Sequence, residues 1–272
     1  MISFLLLISL ILAINVGSLA MLGEAYLFPA EHQTVESQDK PVVSLLILHG
    51  FNPTYSQILS SLSVKPLQDS LAGDLGYVDK GLVSSKTSCQ DLRSDGAIIA
   101  RVAYAEPPFK IEQYADEVNK TIEKILECTG SAKIDIVAHS MGGIVARSAD
   151  NPAIRKIIFV GTPNSGDVYR LGSISVLANE EFSDAIPIDF SQITKQSRFI
   201  EGLNDHQSLK DAQIYAVQGD IDGKGDGLVR TGSVDLTEEI DGLTVSCRHF
   251  FLKIPTACPK AYGFIVQSLI EE

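Results

Sequence analysis

The chain has 272 residues, of which 45% are apolar and 21% charged. That length suits one or two domains with a sizeable core, and that composition excludes an intrinsically disordered chain. The 34 acids against 22 bases leave a net charge of −12, which repels nucleic acid and anionic lipid headgroups, so nucleic acid is not an expected partner and any membrane or lipid-interface contact has to be apolar.

The first segment, Met1 to Gly23, carries no charged side chain, and Phe4 to Ala13 is rich in Leu and Ile. Two readings stand side by side. As a secretory signal peptide it offers the small-residue pattern Ser18-Leu19-Ala20 for cleavage. As a membrane anchor over residues 2–22 it has about the 20 apolar residues that a bilayer span needs. No Lys or Arg precedes Lys40, so loop charge sets no orientation. Both readings place the remainder outside the cytoplasm, secreted or anchored. Residues 24–40 are polar and read as a linker, and 41–272 as the folded domain.

The four cysteines are Cys89, Cys128, Cys247 and Cys258. An even count in an exported chain implies two disulfides with three pairings to choose from. Cys247–Cys258 is favoured because it closes a short loop, leaving Cys89–Cys128. No Cys-x-x-Cys or Cys-x-x-His spacing marks a metal site.

Val42 to Leu48 is a continuous apolar run, the pattern of a strand buried on both faces. Helical spacing follows over 54–72. Ala97 to Ala103 is a second β-like run, and Ile111 to Cys128 a long amphipathic helix. Ile134 to Ala138 is a strand and Met141 to Ala149 a short helix. Ile157–Val160, Ile214–Val217 and Thr244–Cys247 read as further strands, and Lys260–Ile270 as a closing helix. Alternating strands and helices predict an α/β fold, a mostly parallel central sheet flanked by helices. Residues 167–210 break the alternation and read as a lid or cap insertion, or else as a helical excursion packed on the core.

In a parallel sheet the chemistry gathers at the carboxyl ends of the strands. Ala138-His139-Ser140-Met141-Gly142 sits at such an end, between a strand and a helix, as a variant of the nucleophile elbow. Small residues two before and two after Ser140 leave room for a turn tight enough to present its hydroxyl. A hydroxyl needs a base to take its proton, and the base belongs on a late loop. Of the five histidines, His249 lies there. His32 is in the linker, His49 follows the first strand and shapes the oxyanion loop, His139 is directed away from Ser140, and His206 is in the insertion. The orienting acid should follow Ile214–Val217. Asp226 is preferred because Asp-Gly-Leu-Val sets it before a new apolar segment, and Asp222 is the alternative. Asp220 to Asp226 also resembles part of a calcium loop, but the remaining ligands are missing. No cofactor is expected, with a structural calcium the lesser alternative. Two backbone N–H groups complete the chemistry as an oxyanion hole, one from Met141 and one from Phe51. The sequon Asn119-Lys120-Thr121 reads as a chance occurrence.

Taken together, Ile47-Leu48-His49-Gly50-Phe51, Ala138-His139-Ser140-Met141-Gly142-Gly143, Gly161-Thr162-Pro163-Asn164-Ser165-Gly166 and Asp226-Gly227-Leu228-Val229 resemble the α/β-hydrolase lipases and esterases. The Ala-His-Ser-Met-Gly-Gly elbow is similar to that of Bacillus-type triacylglycerol lipases, as are Tyr114 to Gly143, the segment Ser197 to Asn204 and His249-Phe250-Phe251-Leu252. The resemblance covers about residues 42–270. It implies an α/β-hydrolase fold and a serine carboxylic-ester hydrolase (a lipase or carboxylesterase) that works through an acyl-enzyme. Ser140 is then the nucleophile, Asp226 the acid and His249 the base. Ester or lipid substrates follow. The alternatives are a lipid acyltransferase or thioesterase on the same triad, or a non-catalytic binding protein that keeps the fold.

Overall fold

The computed structural model describes residues 43–51, 57–104, 110–168, 190–193, 197–205, 208–234 and 240–271. The strands are β1 (Ser44–Leu48), β2 (Val78–Val83), β3 (Ile98–Val102), β4 (Ile134–His139), β5 (Ile154–Val160), β6 (Gln213–Gly219) and β7 (Asp241–Val245). The α-helices are α1 (Gln57–Leu62), α2 (Lys65–Leu75), α3 (Cys89–Leu92), α4 (Ile111–Thr129), α5 (Met141–Ala149), α6 (Arg198–Asp205) and α7 (Pro259–Ile270). Among the described residues the strands form one all-parallel sheet in the order β2-β3-β1-β4-β5-β6-β7.

The strand order follows from chain handedness. From β1 the chain steps toward one edge, to β2, and every later step runs the opposite way. Right-handed crossovers therefore put the helices after β1 on one face and those after β3 and β4 on the other. The two core clusters show this division. Leu45 and Ile47 of β1 pack with Leu67 and Leu71 of α2 and Ile265 of α7. Leu46 and Leu48 pack with Val118 and Ile122 of α4 and Ile144 of α5. Alternate residues of β1 thus feed opposite cores, which is why its sequence is apolar throughout. Paired neighbours β1 and β4 send their chains to opposite faces, which opens a crevice at their carboxyl ends, where Leu48 pairs with Ala138.

Three elements depart from the sequence expectation. β2 was not anticipated. Of its residues Val78-Asp79-Lys80-Gly81-Leu82-Val83 only Val83 is buried, because it is an edge strand paired only with β3, and it lacks a continuous apolar run. The helix expected over 54–72 is two helices, and Pro66 stands in the first turn of the second, where a missing N–H costs nothing. The last strand is Asp241–Val245 rather than 244–247. The expected leader 1–23 and linker 24–40 lie outside the described residues, as does most of 167–210. Of that insertion, a 3-10 turn (Phe190–Ile193) and α6 are described. Among the described residues no helix is long and apolar enough to cross a membrane.

Both favoured disulfides are present, Cys89–Cys128 and Cys247–Cys258. The first ties α3 to the end of α4. It also disposes of the one metal-like grouping among the described residues, Cys89, Glu127 and Cys128, because the two sulfurs are bonded to each other. The sequon lies inside α4. The Asn119 amide donates to the Ala149 carbonyl at 3.0 Å and accepts from Asn151 Nδ2 at 2.8 Å, and Thr121 is fully buried, so the folded chain offers no glycan acceptor there.

Cys89–Cys128 closes a loop 39 residues long, a constraint on the unfolded chain worth roughly 4 kcal/mol in the loop-entropy account. Replacing both with Ala is expected to lower stability by about that amount, read as the shift of a urea unfolding midpoint.

Candidate active site

Ser140 joins β4 to α5 with φ 56° and ψ −127°, a backbone region that costs a non-glycine residue roughly 1–3 kcal/mol. The neighbouring chain holds it there. Ser140 N–H donates to the Val160 carbonyl at 2.9 Å, and its own carbonyl accepts from Gly143 N–H at 3.0 Å. The need for small neighbours comes from β1. A Cβ on Gly142 would lie 2.7 Å from the His49 carbonyl oxygen, and one on Gly50 would lie 2.8 Å from the Ser140 Cβ. The segment that leads into Phe51 therefore passes directly beside Ser140. Met141 opens α5, so its N–H belongs to the first turn and has no partner within the helix.

Ser140, His249 and Asp226 form one hydrogen-bonded chain. Ser140 Oγ donates to His249 Nε2 at 2.9 Å, and His249 Nδ1 donates to Asp226 Oδ2 at 2.7 Å. All three side chains are buried. Asp226 is held by its own turn, with Oδ1 accepting from Leu228 N–H at 2.9 Å and Val229 N–H at 2.7 Å. Its backbone carbonyl also accepts from His249 N–H at 3.0 Å. Asp222 is exposed, at φ 58°, and Asp220 Oδ1 accepts from Gly225 N–H at 2.9 Å. The hydrogen bonds of this acidic turn thus point inward to the loop and to His249.

Two more imidazoles lie in the same interior. His139 Nε2 stands 3.2 Å from the His249 carbonyl oxygen, so the network assigns the proton to Nε2. Its ring centroid is 4.9 Å from that of His249. The expectation that His139 is directed away from Ser140 captured only half of its position: it makes no bond to Ser140 but packs on the residue that does. His49 Nδ1 donates to the Gly50 carbonyl at 2.9 Å and its ring lies 4.1 Å from Tyr104, whose hydroxyl donates to the His49 carbonyl at 2.9 Å. Among the described residues, His49 Nε2 and His139 Nδ1 are buried without partners. Burial holds His49 down at about 4, and burial, with Lys253 adding to it, holds His139 well below the usual imidazole range. Both are neutral bases, and His139 packs beside the third, His249. His32 and His206 lie outside the described residues.

Two residues near the site had no signal in the sequence. Lys253 is buried and donates from Nζ to Ser63 Oγ at 3.0 Å. Arg147 of α5 is also buried. It donates to the Asn164 carbonyl at 2.9 Å, the Leu203 carbonyl at 2.9 Å and Asn204 Oδ1 at 2.8 Å. It thereby clamps α6 to the loop after β5. Only the fold reveals that these cations face inward.

The unfolded chain takes up protons on His49 and His139 near pH 6.5, whereas the folded chain refuses them until the medium is more acidic. Stability is therefore expected to fall as pH drops from about 6.5 toward 4, by up to roughly 3 kcal/mol from His49 alone. Urea unfolding at both ends of that interval measures it, and a His49→Gln chain should lose less stability across it than the parent.

The PGAP1-like alpha/beta domain family matches residues 109–223, which run from the start of α4 through β6. No match was found among curated proteins. Among solved structures, a Listeria innocua gene product is similar at 16% identity, with 86% of this chain and 95% of that chain covered and a TM-score of 0.59. A Bacillus licheniformis lipase in its mature form is similar at 15% identity, with 89% and 96% covered and a TM-score of 0.57. A metagenomic carboxyl esterase follows at 12% identity, with 89% and 79% covered and a TM-score of 0.52. At these identities the likeness is one of fold. The parallel sheet, the strained turn between β4 and α5 and these neighbours together give the chain the α/β-hydrolase fold.

Proposed function

We propose that the chain is a serine carboxylic-ester hydrolase that acts on ester or lipid substrates through an acyl-enzyme on Ser140. The observation that carries this is the hydrogen-bonded chain from Ser140 through His249 to Asp226. His249 Nε2 takes the Ser140 proton as Oγ attacks the ester carbonyl, while Asp226 holds Nδ1–H and stabilises the imidazolium. The N–H groups of Met141 and Phe51 receive the developing oxyanion, each worth about 3 kcal/mol of barrier. The tetrahedral intermediate collapses, His249 returns the proton to the leaving alcohol, and the acyl group stays on Oγ. Water then attacks, gives its proton to His249, and carboxylic acid departs as Ser140 regains its proton. These steps draw on no metal or organic cofactor.

The catalytic domain is residues 41–272, with 167–210 as a cap over the strand ends and 1–23 as the leader or anchor. Two disulfides accord with an oxidising compartment outside the cytoplasm. The lipase and esterase names among the fold neighbours accord with ester substrates.

Turnover of p-nitrophenyl esters from acetate to palmitate tests the proposal. Ser140→Ala is expected to lower kcat at least about ten-thousand-fold with an unchanged circular dichroism spectrum, and Asp226→Asn to lower it by about a thousandfold or more. Full activity in a folded Ser140→Ala chain would contradict it. Product analysis with added alcohol separates the alternatives, because diversion of most acyl groups into a new ester marks an acyltransferase.

A further inference from the structure

Lys253 has no part in the proton transfers above, yet it is buried, and among the described residues no carboxylate pairs with it. Burying an ammonium is costly unless it is hydrogen-bonded. An aliphatic side chain of similar length would fill the same space at less cost. Among the described residues, what the ammonium adds besides its place at the Phe250 ring is one directed bond, to Ser63 Oγ at 3.0 Å, between residues 190 apart in sequence.

The placement of that bond gives it meaning. Ser63 follows α1, on the chain that leaves β1 after Phe51. Its own hydroxyl donates to the Ser60 carbonyl at 2.6 Å, closing the end of α1. Lys253 lies four residues after His249, inside the loop closed by Cys247–Cys258. The near end of that loop is fixed on the β6–β7 side, where His249 N–H bonds the Asp226 carbonyl. The Lys253–Ser63 bond fixes it on the β1 side. Ser140, at the end of β4, lies between the two, because β4 stands between β1 and β5. The Phe250 ring, 5.9 Å from Nζ, flanks the lysine.

We propose that Lys253 is a positioning residue of the active site. By bonding Ser63 it ties the segment that carries His249 to the segment that follows β1, and so holds the base and the oxyanion-side backbone in register across Ser140. The proposal rests on the ester-hydrolase assignment for its catalytic consequence. The charged and titratable groups that bear on the amine are His49 at the end of β1, His139 at the end of β4 and, beyond His49, Arg101 of β3. Burial lowers the amine to about 7, so the charge-assisted bond gives way to a neutral one as pH rises through that value.

A double-mutant cycle with p-nitrophenyl butyrate tests the tether. Lys253→Met and Ser63→Ala are each expected to lower kcat, by about tenfold to a hundredfold for the lysine, with KM within about threefold of the parent. The double variant should be no worse than Lys253→Met alone. Lys253→Arg should restore most of the activity, and the decline of kcat above pH 7 should be absent from Lys253→Met and displaced to higher pH in Lys253→Arg. Amide hydrogen exchange is expected to quicken in Lys253→Met both at residues 60–64 and at 247–252. Effects of the two single variants that simply multiply, or Lys253→Met and Ser63→Ala chains with parental kcat and pH profile, would overturn the proposal. If the parent chain turns over no ester, the hydrolase assignment fails, and unchanged exchange in Lys253→Met then overturns the tether by itself.

Discussion

The structure turns on the close approach of β1 to the turn after β4. Gly142 and Gly50 permit a contact that any larger side chain would block, with 2.7 Å and 2.8 Å to the nearest atoms for an added Cβ. That contact keeps Ser140 in a backbone conformation it would not choose. It also brings the start of the Phe51 segment beside the Ser140 Cβ. The fold supplies the force: two parallel strands paired over five residues and buried on both faces leave the turn no freedom to relax.

Around that turn the described residues gather bases and very little acid. His49, His139, His249 and Lys253 share a buried region into which, among the described residues, a single carboxylate, Asp226, sends its bond to His249. Desolvation keeps His49 and His139 uncharged. Uncharged, neither ring competes with His249 for the Asp226 carboxylate, and under the proposed mechanism that one directed bond would stabilise the imidazolium. His139 bonds the His249 backbone and not the His249 ring or the Ser140 hydroxyl, so it braces the loop and has no step in the proposed proton transfers.

The parts that were legible in the sequence share a physical cause. Inner strands of a parallel sheet are buried on both faces, so β1, β3, β4 and β5 announce themselves as apolar runs. The candidate site positions then follow from where those runs stop. Ser140, Asp226 and His249 were each located by such an ending, and the structure brings them together. β2 was not legible because an edge strand half open to solvent has the composition of a loop. Lys253 and Arg147 were not legible because a cation in a turn or on a short helix reads as surface. Only the meeting of Lys253 with Ser63, 190 residues away, shows otherwise. Asp226 and Asp222 could be ranked from sequence but not separated. The separation lies in a turn whose backbone N–H groups close on Asp226.

The central claim is that the Ser140 hydroxyl is an activated nucleophile. Its most direct measurement is covalent trapping by a fluorophosphonate, followed by peptide mapping in the mass spectrometer. The account predicts one phosphonyl group per chain, on the peptide that contains Ser140, and almost none when His249 is replaced by Ala. A chain that stays unmodified, or that is modified equally well at another serine, would contradict it.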